Sequence, residues 1–251
     1  MAQVNLAVFG DIHGKQNLMY RTAKKWEEKH NASIDAILQI GDFETIRTEK
    51  DFEFYYAPKK YHKISDFSSY YRGEKEAPYL TVFIGGNHEA WNVLAPHENG
   101  GFIAPNMYYL GRVGKIDIKG VNVAGITGIF SPNNYWRKRD SEPSWKWKYY
   151  NEEDVQKLTG MEMDVLLLHD WIQPLTGLEI NQIENAPETA DEMQVTPLYR
   201  LVKEKQPRFV FMGHRHKSFL ESKMDETTIF GLKELREGKN GHSFRLISFN
   251  E

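Results

Sequence analysis

Five short, predominantly apolar runs, each ending in polar residues able to bind a metal ion, constrain this chain more than any other feature. Residues 4–9 run into Gly10-Asp11-Ile12-His13-Gly14 and residues 34–40 into Gly41-Asp42. Residues 79–84 run into Gly85-Gly86-Asn87-His88-Glu89, residues 164–168 into His169-Asp170, and residues 209–212 into Gly213-His214-Arg215-His216. Runs of that length and character fit strands covered on both faces, and the glycines after them permit sharp turns. Helical spacing of Leu18, Tyr20, Ala23 and Trp26 over residues 17–29 puts a helix between the first two strands. The rhythm is that of an α/β sheet, in which sites form in the loops beyond the strand ends.

Elsewhere the pattern changes. Residues 43–78, rich in Tyr, Lys and Glu, read as an insertion with short helices. From Tyr108 the chain is expected to build a second sheet of short strands, 108–110, 114–118 and 121–126, with a Lys119-Gly120 turn. Helices are expected over 152–159 and 197–204, and closing strands over 229–232 and 243–249. No internal repeat or linker is evident, so the expectation is one domain over 1–251.

Composition narrows the chemistry. With 251 residues, 40% hydrophobic, 13% aromatic and a formal net charge of −3, the chain suits a single folded domain and not a disordered one. No apolar run approaches the ~20 residues of a membrane span, and the N-terminus lacks the basic and apolar regions of a leader. The expectation is an intracellular protein, nuclear or cytoplasmic according to its source, with no membrane partner. The absence of Cys excludes disulfide-linked partners and thiolate ligands, leaving His, Asp, Glu and Asn to hold any metal.

Asp-x-His and His-x-His place both side chains of each pair on one face of an extended chain. Asp11, His13, Asp42, Asn87, His169, His214 and His216 then supply seven ligands. If Asp42 bridges, two metals receive four contacts each. Few carboxylates and many imidazoles favour Mn, Fe, Zn or Ni over Mg or Ca.

The order Asp-x-His, Gly-Asp, Gly-Asn-His-Glu, His, Gly-His-x-His resembles the calcineurin-like metallophosphoesterase superfamily over residues 11–216. The resemblance implies a four-layer α/β fold, two mixed sheets in a sandwich flanked by helices. It also implies one metal on Asp11, His13, Asp42 and His216, and another on Asp42, Asn87, His169 and His214. His88 would stabilise the transition state or protonate the leaving alkoxide.

Gly41-Asp42-Phe43-Glu44 lacks the Asp-Arg-Gly of the protein phosphatase branch. In contrast, Ala57-Pro58-Lys59-Lys60-Tyr61-His62, residues 67–75, Gly85-Gly86-Asn87-His88-Glu89-Ala90, residues 100–111 and Leu168-His169-Asp170-Trp171 resemble the RNA lariat debranching family. That resemblance implies hydrolysis of the 2′,5′-phosphodiester at the branch of lariat RNA, and a lariat recognition loop at residues 133–150. This stretch carries five cations against two carboxylates. Tyr135, Trp136, Arg137, Lys138, Arg139, Trp145, Lys146, Trp147 and Lys148 are its candidate RNA contacts, cations for phosphates and rings for bases. Lys59, Lys60, Lys63, Arg72 and Lys75 form a second candidate cluster.

The chain departs from the family in two ways. Asp11 stands where many members have Cys, exchanging a soft ligand for a hard one and favouring a firm two-metal site. The chain ends at Glu251, without the C-terminal region common in eukaryotic members, so no extension domain is expected. A general metallophosphoesterase acting on another nucleotide or a linear diester is the alternative enzyme. A binding protein with a dead metal site is the other class, and the complete ligand set argues against it.

Overall fold

The computed structural model describes residues 3–185, 195–238 and 241–250. In chain order the elements are β1 (Gln3–Phe9), α1 (Gln16–His30), β2 (Ala36–Ile40), α2 (Phe67–Tyr71), β3 (Thr81–Ile84), α3 (Trp91–Leu94), β4 (Gly101–Ala104) and β5 (Met107–Tyr109). There follow β6 (Val113–Ile118), β7 (Val121–Ile126), α4 (Pro132–Tyr135), α5 (Glu152–Thr159), β8 (Val165–Leu168), β9 (Glu179–Glu184), α6 (Pro197–Lys205), β10 (Phe209–Met212), β11 (Phe219–Met224), β12 (Thr227–Gly231) and β13 (Phe244–Asn250).

They form two mixed sheets, one ordered β13-β1-β2-β3-β5-β4 and the other β6-β7-β8-β10-β12-β11-β9. Strands β1, β2, β3 and β5 run parallel in the first, as do β7, β8, β10 and β12 in the second, and antiparallel strands complete the edges.

Alternation along each strand explains the apolar runs. Val4, Leu6 and Val8 of β1, with Leu38 and Ile40 of β2, face Val165, Leu167 and Phe211 of the other sheet across a shared core. The intervening Ala7, Phe9 and Ile37 pack under Met19, Tyr20 and Ala23 of α1. On the far side, Leu166, Leu168, Val210 and Met212 pack under Leu158 of α5 and Leu198 and Val202 of α6. Both faces of the central strands are dry, which gives four layers: helices, sheet, sheet, helices.

The expected second sheet began one strand too early. Met107–Tyr109 pairs parallel with β3 and antiparallel with β4, so it belongs to the first sheet. Strands β9 and β11 carry no continuous apolar run, and β4 is a four-residue Gly-Phe-Ile-Ala stretch too short to signal a strand by itself. Strand β9 is an edge strand, with exposed Ile180 and Ile183. Residues 43–78 hold α2 and two 3-10 turns, Glu49–Phe54 and Lys59–Tyr61.

Candidate metal centre

The C-terminal ends of β1, β2 and β3, adjacent in one sheet, lie beside those of β8 and β10, adjacent in the other. One hydrogen bond crosses between the sheets there, His169 Nδ1 donating to Ile40 O at 3.0 Å, while within the second sheet Gly213 N donates to His169 O at 3.0 Å and joins the ends of β8 and β10. Loops that share no sequence are thereby closed on one point.

One ligand atom each from Asp11, His13, Asp42 and His216 can be chosen so that all lie within 4.8 Å of one another. His13 Nε2 is 3.1 Å from His216 Nε2 and 3.8 Å from Asp42 Oδ2, and His216 Nε2 is 3.1 Å from Asp11 Oδ2. On the other side of Asp42, His169 Nε2 is 3.3 Å from Oδ1 and 3.0 Å from Asn87 Oδ1, and the His214 ring lies 5.1 Å from that of His169. Asp42 thus presents one oxygen to each group.

The expected common face of His214 and His216 does not form. His214 takes φ 64°, a left-handed conformation, and the turn sends it toward His169 while His216 faces His13 and Asp11. His13 (φ 44°), Asp42 (φ 54°) and Glu44 (φ 56°) share that region, unusual for residues other than glycine, and such backbone strain concentrates where a site requires it.

Several observations test whether a cation fits. Asp42 Oδ2 is buried and has no hydrogen-bond partner among the described residues, which is costly for a carboxylate unless another charge meets it. Gly86 and Gly213 leave no room for a side chain: a Cβ at Gly86 would lie 2.1 Å from Asp42 Oδ1, and one at Gly213 would lie 2.3 Å from Asp11 Oδ1. Burial opposes protonation of His13, yet the Glu44 hydrogen bond and the charges of Asp42, Glu44 and Asp11 outweigh it and push its pKa up to about 10. For His216 burial is likewise outweighed by Asp11, and its pKa rises. The cluster attracts positive charge, and its imidazole and carboxylate donors at these separations suit a divalent metal.

Three residues around the centre escaped the sequence reading. Glu44 Oε1 accepts from His13 Nδ1 and from the Tyr55 hydroxyl, both at 2.8 Å. Buried Glu89 accepts from the backbone N–H groups of Phe43, Glu44 and Gly86, which ties the Asp42 and Asn87 loops together. Burial, reinforced by Asp42, raises its pKa well above the usual carboxylate value. Glu44 and Glu89 lie within the quoted motifs, where the pattern Asp-x-Glu and the acid after Asn-His were available signals. Glu234, 3.8 Å from His216 Nδ1, had none.

His88 donates its backbone N–H to Asp42 Oδ1 at 2.8 Å, and its ring centroid lies 5.8 Å from that of His13. Burial lowers its pKa against the pull of Asp42. It is therefore beside the metal group without belonging to it.

Residues 4–218 match the family model for calcineurin-like phosphoesterases. The chain belongs to the calcineurin-like phosphoesterase family. Among curated relatives of this phosphoesterase, it is 39% identical over 176 residues to lariat debranching enzyme A of Xenopus laevis, covering 67% of this chain and 33% of that one. It is 33% identical over 239 residues to the lariat debranching enzyme of Gallus gallus (89% and 45% covered) and 32% over 231 residues to that of Arabidopsis thaliana (86% and 55% covered). The chain thus spans between a third and about half of the length of these relatives. The fold is that of TT1561 of Thermus thermophilus, with a TM-score of 0.57, 15% identity and 99% of each chain covered.

The nine aromatic and basic candidates of this phosphoesterase's 133–150 segment divide in the structure. Trp136 is 78% exposed and Trp145 46%, whereas Tyr135 and Trp147 are buried. Trp147 donates Nε1–H to the carbonyls of Asp140 and Glu142, and Arg139 pairs with Asp154, so both serve to hold the segment. Lys146 pairs with Asp140 at 3.3 Å, Lys148 lies over the rings of Trp145 and Tyr149, and Arg137 and Lys138 are exposed. Buried Arg112 donates to the carbonyls of Trp147 and Tyr149, which anchors the segment to β6. In the second cluster Arg72 pairs with Glu74 and Lys75 donates to Asn17, leaving Lys59, Lys60 and Lys63 as exposed cations.

Proposed function

We propose that this chain hydrolyses the 2′,5′-phosphodiester at the branch point of lariat or branched RNA, giving linear RNA. The observation carrying this reading is the match to proteins named lariat debranching enzymes over 67–89% of the chain, well beyond the metal ligands. In this reading Asp11, His13, Asp42 and His216 hold one divalent ion, and Asp42, Asn87, His169 and His214 hold a second. The donor set favours Mn, Fe or Zn.

Such a pair supplies the charge that neutralises phosphate oxygens and the acidity that makes a water nucleophilic near neutral pH. Asp42 joins the two halves because its oxygens point to different imidazole groups. His88, not needed as a ligand, lies beside His13 and Asp42 and is the group that would deliver a proton to the leaving alkoxide. Trp136, Trp145, Arg137 and Lys138 form the exposed RNA surface, with half-buried Lys148 beside Trp145, rings serving unpaired bases and cations the backbone.

Assays on a branched RNA, a linear 3′,5′ RNA and p-nitrophenyl diesters, with several metals and metal content measured on the same sample, test the reading. The branched substrate is expected to be cleaved in strong preference to the linear one. Equal rates on both overturn the debranching assignment in favour of a general phosphodiesterase.

A further inference from the structure

Between β2 and α2 the chain passes beside the metal centre in a turn pinned on both sides. Tyr55 is buried and bonded to Glu44. His62 donates Nε2–H to Ala57 O at 3.0 Å and stacks on Phe52, with ring centroids 4.7 Å apart and planes at 22°. Ser65 donates to Ile46 O at 2.8 Å. These contacts hold the turn from below, and none involves its apex.

At the apex is the 3-10 turn Lys59–Tyr61, every residue of which is exposed. Tyr61 leaves 52% of its surface in solvent, yet its ring centroid lies 6.4 Å from the His88 imidazole, with planes at 63°. Its hydroxyl makes no hydrogen bond to a described residue. Lys60 Nζ is 4.9 Å from the Tyr61 ring centroid. Two residues further on, Lys63 lines a cavity of about 600 Å³ that His13 also lines. A large aromatic ring is thus held at a fixed place beside the proton-transferring imidazole, used neither by the core nor by a hydrogen bond, with cations on either side.

The geometry points to Tyr61 as the stacking platform for the nucleobase of a nucleotide esterified to the scissile phosphate, with Lys60 meeting that nucleotide's phosphate oxygens. An aromatic face stacks any base, so the contact positions the substrate without reading its sequence. The inference rests on the RNA reading above for the identity of the substrate. Its physical content requires only a nucleotide diester reacting beside His88.

A double-mutant cycle tests it. Wild-type enzyme, Tyr61→Ala and Tyr61→Phe are compared on a short branched RNA, on the same RNA with an abasic residue at the 2′ arm, and on the corresponding pair of linear 3′,5′ RNAs. Both kcat/KM and Kd are measured, the latter by fluorescence anisotropy. Tyr61→Ala is expected to lose about 5- to 100-fold in kcat/KM on the base-bearing branched RNA, chiefly through KM, as one lost stack implies. The loss on the abasic partner is expected to be at least fivefold smaller, and Tyr61→Phe to stay within about twofold of wild type. Equal losses on the base-bearing and abasic RNAs, or none on either, overturn the assignment. If wild type cleaves only linear RNA, the debranching reading falls and the linear pair decides for Tyr61. If it cleaves neither, the Kd values decide by the same criterion.

Discussion

Glu44 and His13 are joined by a 2.8 Å hydrogen bond between the carboxylate Oε1 and the imidazole Nδ1. This bond leaves Nε2 as the His13 atom turned toward Asp11, Asp42 and His216, and it fixes the tautomer that can ligate. Tyr55 fastens the same carboxylate oxygen from the other side. Glu44→Ala is expected to weaken metal retention by about 10- to 100-fold, the usual cost of removing such an orienting group. Dialysis against a competing chelator, with metal content read on wild type and variant, checks it; unchanged retention would mean that Asp11, Asp42 and His216 hold the ion without help.

Gly86→Ala examines the crowding at the centre. The new methyl would lie 2.1 Å from Asp42 Oδ1 and 2.7 Å from His169 Nε2, both groups that cannot withdraw without leaving the site. Metal content should fall to near background while the far-ultraviolet circular dichroism stays that of wild type. A variant that keeps its metal and its activity would show that the Asp42 loop can shift freely.

His88→Ala should keep its metal and lose turnover by about 10²- to 10⁴-fold, the contribution of a positioned proton donor. Metal analysis and kcat on the same preparation separate the two effects. Loss of metal together with activity would make the His88 side chain a support of the metal centre instead of a proton donor, because the backbone bond to Asp42 survives the substitution.

Two tryptophans of one segment should behave oppositely. Trp147→Ala removes a buried ring with two hydrogen bonds and is expected to destabilise the fold by about 3–5 kcal/mol. Trp136→Ala touches a ring in solvent, so stability should move by less than ~0.5 kcal/mol while binding of branched RNA weakens. Chemical denaturation and RNA titration on both variants make the comparison, and similar stabilities for the two would contradict the burial assigned to Trp147.

Asp154 supplies a pH dependence away from the metal. Burial raises its pKa, but Arg112 and Arg139 and the Asn151 N–H outweigh it and hold the carboxyl below its usual value. The unfolded chain therefore takes up this proton first as pH falls. The stabilisation is complete above the unfolded carboxylate value near ~3.9 and is lost as pH drops through the lower folded value. Asp154→Asn should melt well below wild type at pH 7, and the difference should shrink below about pH 4. A difference constant from pH 7 to pH 3 would refute the assignment.

Much of this was written locally. The five apolar runs and their polar ends identify the central strands and seven candidate ligands, because a strand dry on both faces and a glycine turn after it are imprinted in adjacent residues. Strands β4, β9 and β11 were less visible, because they owe their existence to pairing with a neighbour already in place, and Met107–Tyr109 owes its sheet to β3.

Chain order alone determined the fold class, the candidate ligand types and the resemblance that points to phosphoester chemistry. Only the tertiary structure decided how those side chains divide. The left-handed turn at His214 separates two histidines that an extended chain would have kept together. Burial converts Trp147 from a candidate RNA contact into an anchor, and Glu44, Glu89 and Tyr61 acquire meaning only from neighbours distant in sequence. Spacing along a chain specifies which residues are available, whereas charge and contact energies depend on distance through space, and that is set only when the two sheets close on one another.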